Sequence, residues 1–265
     1  MAKILSITIV HYKNLPLLKL CLNSIYKTVK NLDYEVVLVD SETDSMTEDF
    51  ILEKYPSVKY IGFKDNLGYA KGVNVGLKNS SGDYLLILNP DIIVSNDSIE
   101  KMVNFLKTND DVGLLGPQLL NFNGSIQQSY FRFYTPLTII SRRTILGKLP
   151  GLNGTIKKFI MSDANPAEIQ YPDWLMGSAL MTSRSALNKV GLMDEKFFMY
   201  FEDVDWARCF WQNGYKVVYY PEAKMYHYHK KESRTGAAVF DLLFNKRARW
   251  HLKSGLKYFI KYKFK

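Results

Sequence analysis

A chain of 265 residues with 47% hydrophobic and 23% charged side chains can bury one large α/β core, or at most two small ones, and falls outside the disordered classes. Its two cysteines, Cys21 and Cys209, cannot make a disulfide framework, and neither stands at metal spacing from a second Cys or a His; buried thiols in a reducing compartment are expected. A net charge of +9 suits nucleic acid, phosphorylated substrates or an anionic membrane surface, and the placement of the charges has to decide among them.

No stretch reaches the ~18–20 apolar residues that span a bilayer, and the apolar run 4–10 is too short for a signal-peptide core. A cytoplasmic protein, soluble or peripheral, is the expectation. That run (ILSITIV) reads as a strand buried on both faces. Leu15, Leu18, Leu22, Ile25 and Val29 then recur at helical spacing. A strand at 35–40 (EVVLVD), a helix at about 44–54, a strand at 57–62, a helix at about 68–79 and a strand at 83–88 (DYLLIL) follow. The next helix is predicted at about 97–108, with Asn96 as its cap. This βαβαβαβ order predicts a Rossmann-like, mostly parallel sheet with helices on both faces, and ligands at the carboxyl ends of its strands.

From about 112 the rhythm changes. GLLGPQLLN and SIQQSYF flank Asn123-Gly124, a hairpin signal. Residues 132–170 show weak periodicity and read as a mobile or acceptor-facing segment. Order returns at 174–182, with helices at about 184–190 and 203–213, strands at 215–220 and 224–229, and a basic helical tail from about 236.

Four clusters carry candidate chemistry, each with a plainer explanation beside it. Asp40, ending the second strand, can hydrogen-bond a base or ribose, or help cap the following helix with Asp44. In Asn66–Asn74, Gly68 and Gly72 stand four apart, followed by Gly76; they permit close approach to a ligand or tight helix–sheet packing. Asp91, in Asn89-Pro90-Asp91 after the fourth strand, can hold a divalent cation against a diphosphate, or close an Asx-type turn. Glu202, Asp203 and Asp205 crowd three acids into four residues, which suits proton abstraction from a hydroxyl or an ordinary acidic first helical turn. Downstream, His227 and His229 lie on one face of a strand, as metal ligands or as surface histidines.

The ordered set VHYKN (10–14), VVLVDSETD (36–44), NLGYAKGVN (66–74), LNPDI (88–92), DWLMGSALM (173–181), FFMYFEDVDWARC (197–209) and HYH resembles the family 2 glycosyltransferases, and within them the bacterial rhamnosyltransferase-like branch, over about residues 4–230. The resemblance implies a GT-A fold with a small antiparallel acceptor-side sheet. It also implies a catalytic domain over 1–235 (nucleotide-binding half to about 120) and a basic amphipathic helical segment over 236–265. On the same ground Val10, His11 and Tyr12 line the nucleotide pocket and Asp40 reaches the base. Asn66, Gly68, Gly72, Asn74 and Asn89 belong to the donor site, and Trp174, Met176 and Gly177 to the acceptor side. Asp91 and His227 hold Mg²⁺ or Mn²⁺, and Asp203, paired with Glu202, is the catalytic base. The implied reaction is an inverting transfer from a nucleotide sugar, with dTDP-L-rhamnose favoured, to a glycan or polyprenyl-diphosphate-linked acceptor in surface polysaccharide synthesis. A UDP-hexose transferase of the same fold, or an inactive relative that only binds nucleotide sugar or glycan, is the alternative. Two departures bear on the metal: Asn89 replaces the motif's first acid, and Lys230-Lys231-Glu232 replaces a glycine-rich turn.

The tail interleaves Lys246, Arg247, Arg249, Lys253, Lys257, Lys261, Lys263 and Lys265 with Phe244, Trp250, Leu256, Phe259 and Ile260. Such a helix suits an anionic membrane interface, and a helix packed on the domain with a solvated basic face fits equally. No nucleic-acid-binding motif occurs, so nucleic acid is not an expected partner. A sugar nucleotidyltransferase would want a Gly-rich, Arg-bearing loop where His11-Tyr12-Lys13-Asn14 stands.

Overall fold

The computed structural model describes residues 3–143, 152–228 and 246–263. Lys230-Lys231-Glu232, His229, Phe244 and Lys265 lie outside the described residues. The first half alternates as the periodicity predicts: β1 (Leu5–His11), α1 (Leu15–Thr28), β2 (Tyr34–Ser41), α2 (Ser45–Lys54), β3 (Lys59–Phe63), α3 (Tyr69–Lys78) and β4 (Tyr84–Leu88). Then follow β5 (Ile92–Val94), α4 (Ser98–Lys107), β6 (Val112–Leu120), β7 (Tyr130–Phe131), α5 (Pro136–Arg143) and α6 (Leu152–Phe159). The rest is β8 (Trp174–Leu175), β9 (Ala179–Ser183), α7 (Arg184–Val190), α8 (Glu202–Gln212), β10 (Lys216–His227) and α9, Lys246–Lys261.

Eight strands form one sheet in the order β3-β2-β1-β4-β9-β6-β10-β5. The β1–β2, β1–β4, β2–β3 and β6–β10 pairs are parallel, while β9 runs antiparallel between β4 and β6. β7 and β8 make a separate antiparallel pair. One core layer packs Leu5, Ile7 and Ile9 of β1 under α1, α2 and α4; the other joins α3, α7, α8 and α9 on the opposite face. On that second face β1 carries small residues, because α3 sits unusually close: a Cβ at Gly76 would overlap the Thr8 side chain, and one at Gly72 would lie 2.7 Å from Val10 Cγ1. Asn14 and Asp44 cap α1 and α2, accepting from Leu17 N–H and Thr47 N–H.

Several expectations need correction. The α4 cap is Asp97, left-handed and without a side-chain cap bond, rather than Asn96. The Asn123-Gly124 turn forms, with Asn121 N–H bonded to Ser125 O, but its second limb pairs with β6 only at Ile126. The limb then leaves β6, and Tyr130–Phe131 pairs with β8 instead. Strands 215–220 and 224–229 are one strand, β10, whose register shifts between Tyr220 and Lys224 around Pro221, which has no N–H for the ladder. The weakly periodic 132–170 region contains α5 and α6. Cys21 is buried, but Cys209 only partly.

Candidate active site

The parallel register brings His11 opposite Asp40 at the carboxyl ends of β1 and β2. Asn14 N–H donates to His11 Nε2, so the ring proton sits on Nδ1 and is donated to Asp40 Oδ1 at 2.7 Å. Tyr60 Oη donates to Asp40 Oδ2 at 2.8 Å. Burial pushes Asp40 up, yet these hydrogen bonds outweigh it and hold the carboxyl below its ordinary range. His11 and Asp40 are each 1% exposed and Val10 is buried, whereas Tyr12 is 43% exposed; of the four it offers the accessible side chain.

The NLGYAKGVN stretch opens α3, and its polar groups are engaged inside the protein. Asn66 Oδ1 accepts from Gly68 N–H at 2.8 Å and from Ser41 Oγ at 3.3 Å. Gly68 has φ +76°, and a Cβ there would stand 2.5 Å from Phe198 O, so the turn admits only glycine. Asn74 is buried; its amide donates to Met193 O and Glu195 Oε1 and accepts from Met193 N–H. With Tyr69 N–H bonded to Phe198 O, this stretch anchors the 193–198 loop that leads into the acidic cluster.

That cluster starts α8. Tyr200 and Phe201 are both left-handed, φ 68°, a conformation that costs roughly 1–3 kcal/mol per residue and needs support from its surroundings. α9 provides it: Ser254 Oγ donates to Met199 O, and the Tyr258 ring packs against Phe201 with centroids 5.4 Å apart. Asp203 Oδ2 accepts from Gly177 N–H at 3.0 Å and Oδ1 from Val204 N–H at 2.9 Å, while Tyr69 Oη donates to Gly177 O at 2.5 Å. Burial pushes Asp203 up to about 6, partly offset by the backbone N–H groups. Glu202 is pushed far above its ordinary range by burial and by the Asp203 charge, and its Oε2 is buried without a partner. The pair therefore divides: Asp203 ionises first, and Glu202 keeps its proton. Asp205, the third acid, is bound by Lys261 Nζ at 2.8 Å, from the last residue of α9, and by Tyr262 Oη at 2.8 Å, from the residue after it.

On the other wall, Asn89 and Asp91 follow β4. Asn89 N–H bonds Ser178 O, and Tyr228 N–H bonds Asp91 O. Asn89 Oδ1 and Asp91 Oδ1 are buried oxygens without partners, and Asp91 Oδ2 lies 3.5 Å from His227 Nε2. Two orphaned oxygens beside an imidazole nitrogen fit a hard divalent cation that takes its remaining ligands from phosphates or water. No group of three or more His, Cys, Asp and Glu among the described residues is arranged to hold a metal by itself. Gly177-Ser178 joins the two walls, since Gly177 bonds Asp203 and Ser178 Oγ lies 3.3 Å from His227 Nε2. Met176 N–H bonds Ser129 O beside them. Trp174 points elsewhere: it is buried against Phe131, with its Nε1–H on Arg132 O.

Residues 6–191 match the family model described as glycosyl transferase family 2. The chain belongs to that family. This glycosyltransferase is similar to N-acetylglucosaminyl-diphospho-decaprenol L-rhamnosyltransferase of Mycobacterium tuberculosis (strain CDC 1551 / Oshkosh), at 30% identity over 75% of this chain and 67% of the relative. It is also similar to rhamnosyltransferase WbbL of Escherichia coli (strain K12), at 27% identity over 88% of this chain and 87% of the relative. Among solved structures, GalNAc-T7 with UDP, GalNAc and Mn²⁺ superposes with a TM-score of 0.66 at 17% identity, over 87% of this chain. The match spans 44% of GalNAc-T7, so the glycosyltransferase covers less than half of that protein. Mannosyltransferase PcManGT from Pyrobaculum calidifontis, solved with GDP-Man and Mn²⁺, superposes with a TM-score of 0.59 at 14% identity over 97% of this chain and 74% of its own. The fold is GT-A, as the motif order predicted.

Four side chains of this site, Ser178, Gln127, Lys261 and Tyr262, carry no local signal of their role. Ser178 stands inside DWLMGSALM, and Gln127, whose Oε1 is 2.7 Å from His227 Nδ1, stands in the supposed hairpin limb; a polar side chain there is no signal by itself. Lys261 belongs to the alternating basic tail and Tyr262 follows it, with nothing local to tie either to Asp205.

Proposed function

We propose that this glycosyltransferase transfers a sugar, L-rhamnose from dTDP-L-rhamnose, to a hydroxyl of a polyprenyl-diphosphate-linked or free glycan in surface polysaccharide synthesis, with inversion at the anomeric carbon. The observation that carries the reading is Asp203, a part-buried carboxylate held by Val204 N–H and by Gly177 N–H, of the same Gly177-Ser178 segment that meets Asn89 and His227. Asp203 takes the acceptor hydroxyl proton. The freed oxygen attacks the anomeric carbon while the bond to the diphosphate oxygen breaks and the nucleoside diphosphate leaves with the electron pair from the opposite face. Asp91 and His227, with Asn89, would hold Mg²⁺ or Mn²⁺, and the charge it would supply there would offset that on the leaving group. Rhamnose is favoured by the names of the relatives above, and Tyr12 is the side chain accessible to a base.

Glu202, kept protonated, is a neutral neighbour that lets Asp203 carry the single charge. Glu202→Gln is therefore expected to fold and to retain activity within about 10-fold, since the neutral amide mimics the neutral acid. A loss as deep as that of an Asp203 variant would show that Glu202 ionises in the cycle.

The outer face of α9 exposes Leu252, Leu256 and Ile260 at four-residue spacing beside Arg249 and Lys253, with Lys263 exposed just past its end, and α9 has no acid. No helix among the described residues is long and apolar enough to cross a membrane. A peripheral position on the inner face of the cytoplasmic membrane, on anionic lipid, fits this face, at about 1 kcal/mol per cation.

The test is turnover of dTDP-L-rhamnose, UDP-glucose, UDP-galactose and UDP-N-acetylglucosamine with N-acetylglucosaminyl-diphospho-polyprenol, with and without Mn²⁺, in phosphatidylglycerol vesicles. Turnover of dTDP-L-rhamnose with inversion is expected. Preference for a UDP-sugar would replace the donor, and binding of none would sink the reading.

A further inference from the structure

We propose that Gln127 is a positioning residue that sets the tautomer of His227 and so keeps its Nε2 lone pair directed at the Asp91 side of the cleft; this rests on the cation reading above. The two residues are 100 positions apart and meet at 2.7 Å, Gln127 Oε1 to His227 Nδ1. Both are buried, Gln127 at 8% exposure and His227 at 4%, so water does not compete for the bond. Gln127 is itself held, because its N–H donates to Leu119 O at 2.8 Å beyond the Asn123-Gly124 turn.

An amide oxygen can only accept, so the proton of a neutral imidazole must sit on Nδ1. Nε2 then carries the unprotonated lone pair, 3.3 Å from Ser178 Oγ, whose hydroxyl can donate to it, and 3.5 Å from Asp91 Oδ2. A lone pair facing a carboxylate oxygen is unfavourable until a cation lies between them. Without the Gln127 acceptor, the ring gains by placing its proton on Nε2 and donating it to Asp91. That self-pairing would occupy both proposed ligands at once. Gln127 prevents it, the service that outer partners of ligating histidines commonly perform.

Two measurements on the full chain test this. Long-range ¹H–¹⁵N correlation spectra of the imidazole, assigned with a His227→Ala variant and recorded without metal, read the tautomer directly. Mn²⁺ affinity in the presence of dTDP is read from the electron paramagnetic resonance of free Mn²⁺. The wild type should show Nδ1–H. Gln127→Leu and the volume-matched Gln127→Met should show Nε2–H and bind Mn²⁺ about 10–100-fold more weakly. Gln127→Glu, which still presents an acceptor, should keep Nδ1–H and most of the affinity. An Nε2–H wild type, an unchanged tautomer in both apolar variants, or equal weakening in the Leu, Met and Glu variants would overturn the proposal. A wild type that binds no Mn²⁺ beside dTDP would instead overturn the cation reading, and the tautomer spectra would still decide the role of Gln127.

Discussion

Asp203→Asn is expected to lower kcat by about 10²–10⁴-fold while donor affinity stays near that of the wild type, because the amide keeps an oxygen for Gly177 N–H but cannot take a proton. The pH dependence follows from the same residue. With Asp203 pushed up to about 6, the wild-type kcat should rise through that region and level off above it, and the variant's residual rate should lack this limb. Stability runs the other way. The folded state binds a proton on Asp203 that the unfolded chain, with its carboxyl near 3.8, has already lost; stability therefore falls as pH rises from about 4 to about 6. Asp203→Asn removes that penalty. It should melt at a higher temperature than the wild type at pH 7, with the difference shrinking toward pH 4. Unchanged kcat in the variant would place the base elsewhere; a lower melting temperature at pH 7 would show that Asp203 stabilises the fold instead of straining it.

Lys261→Met should destabilise the protein by about 2–3 kcal/mol in urea unfolding. Asp205 is buried on the first turn of α8, and its oxygens rest on Lys261 at the end of α9 and Tyr262 just beyond it. Burial already pushes Asp205 up in spite of the ammonium, so without it the carboxylate must shed its charge or unfold the contact. The cost falls at or below the low end for breaking a buried pair because the Lys261 side chain is 37% exposed and partly screened. Lys261 also binds Asp194, at 2.9 Å, so the same substitution loosens both ends of the loop that carries the left-handed Tyr200 and Phe201. A fall in kcat with little change in KM should accompany the loss of stability. Lys261→Arg should recover most of both, and Lys263→Met, at an exposed position, should cost less than about 0.5 kcal/mol. Equal behaviour of the Lys261 and Lys263 variants would mean that α9 does not brace the acidic turn.

These two residues mark the boundary between what the chain announces and what it conceals. The sequence by itself determined the alternation of β1 to β4 with α1 to α3, because short continuous apolar runs, period-3.6 burial, the Asn14 and Asp44 caps and the glycines of NLGYAKGVN are local properties. It also placed Asp40 and Asp91 at strand ends and Asp203 at a helix start, since crossover connections put those positions at one edge of a parallel sheet. What those residues touch was decided only in the tertiary structure. Nothing within a few residues of His11 says that its proton is committed to Asp40, and nothing near His227 selects Gln127 from the other polar side chains. The hairpin expectation held only near its turn: the chain reverses at Asn123-Gly124 and Gln127 N–H bonds Leu119 O, but a turn signal does not decide how far the second limb stays paired, and Tyr130–Phe131 pairs with β8. The counter-charge of the acidic cluster lies 56 residues from Asp205, on a helix whose basic pattern reads as surface. Local patterning encodes elements because its energetics act within a turn or two; partner choice among like side chains is settled by which of them the packed core brings within about 3 Å.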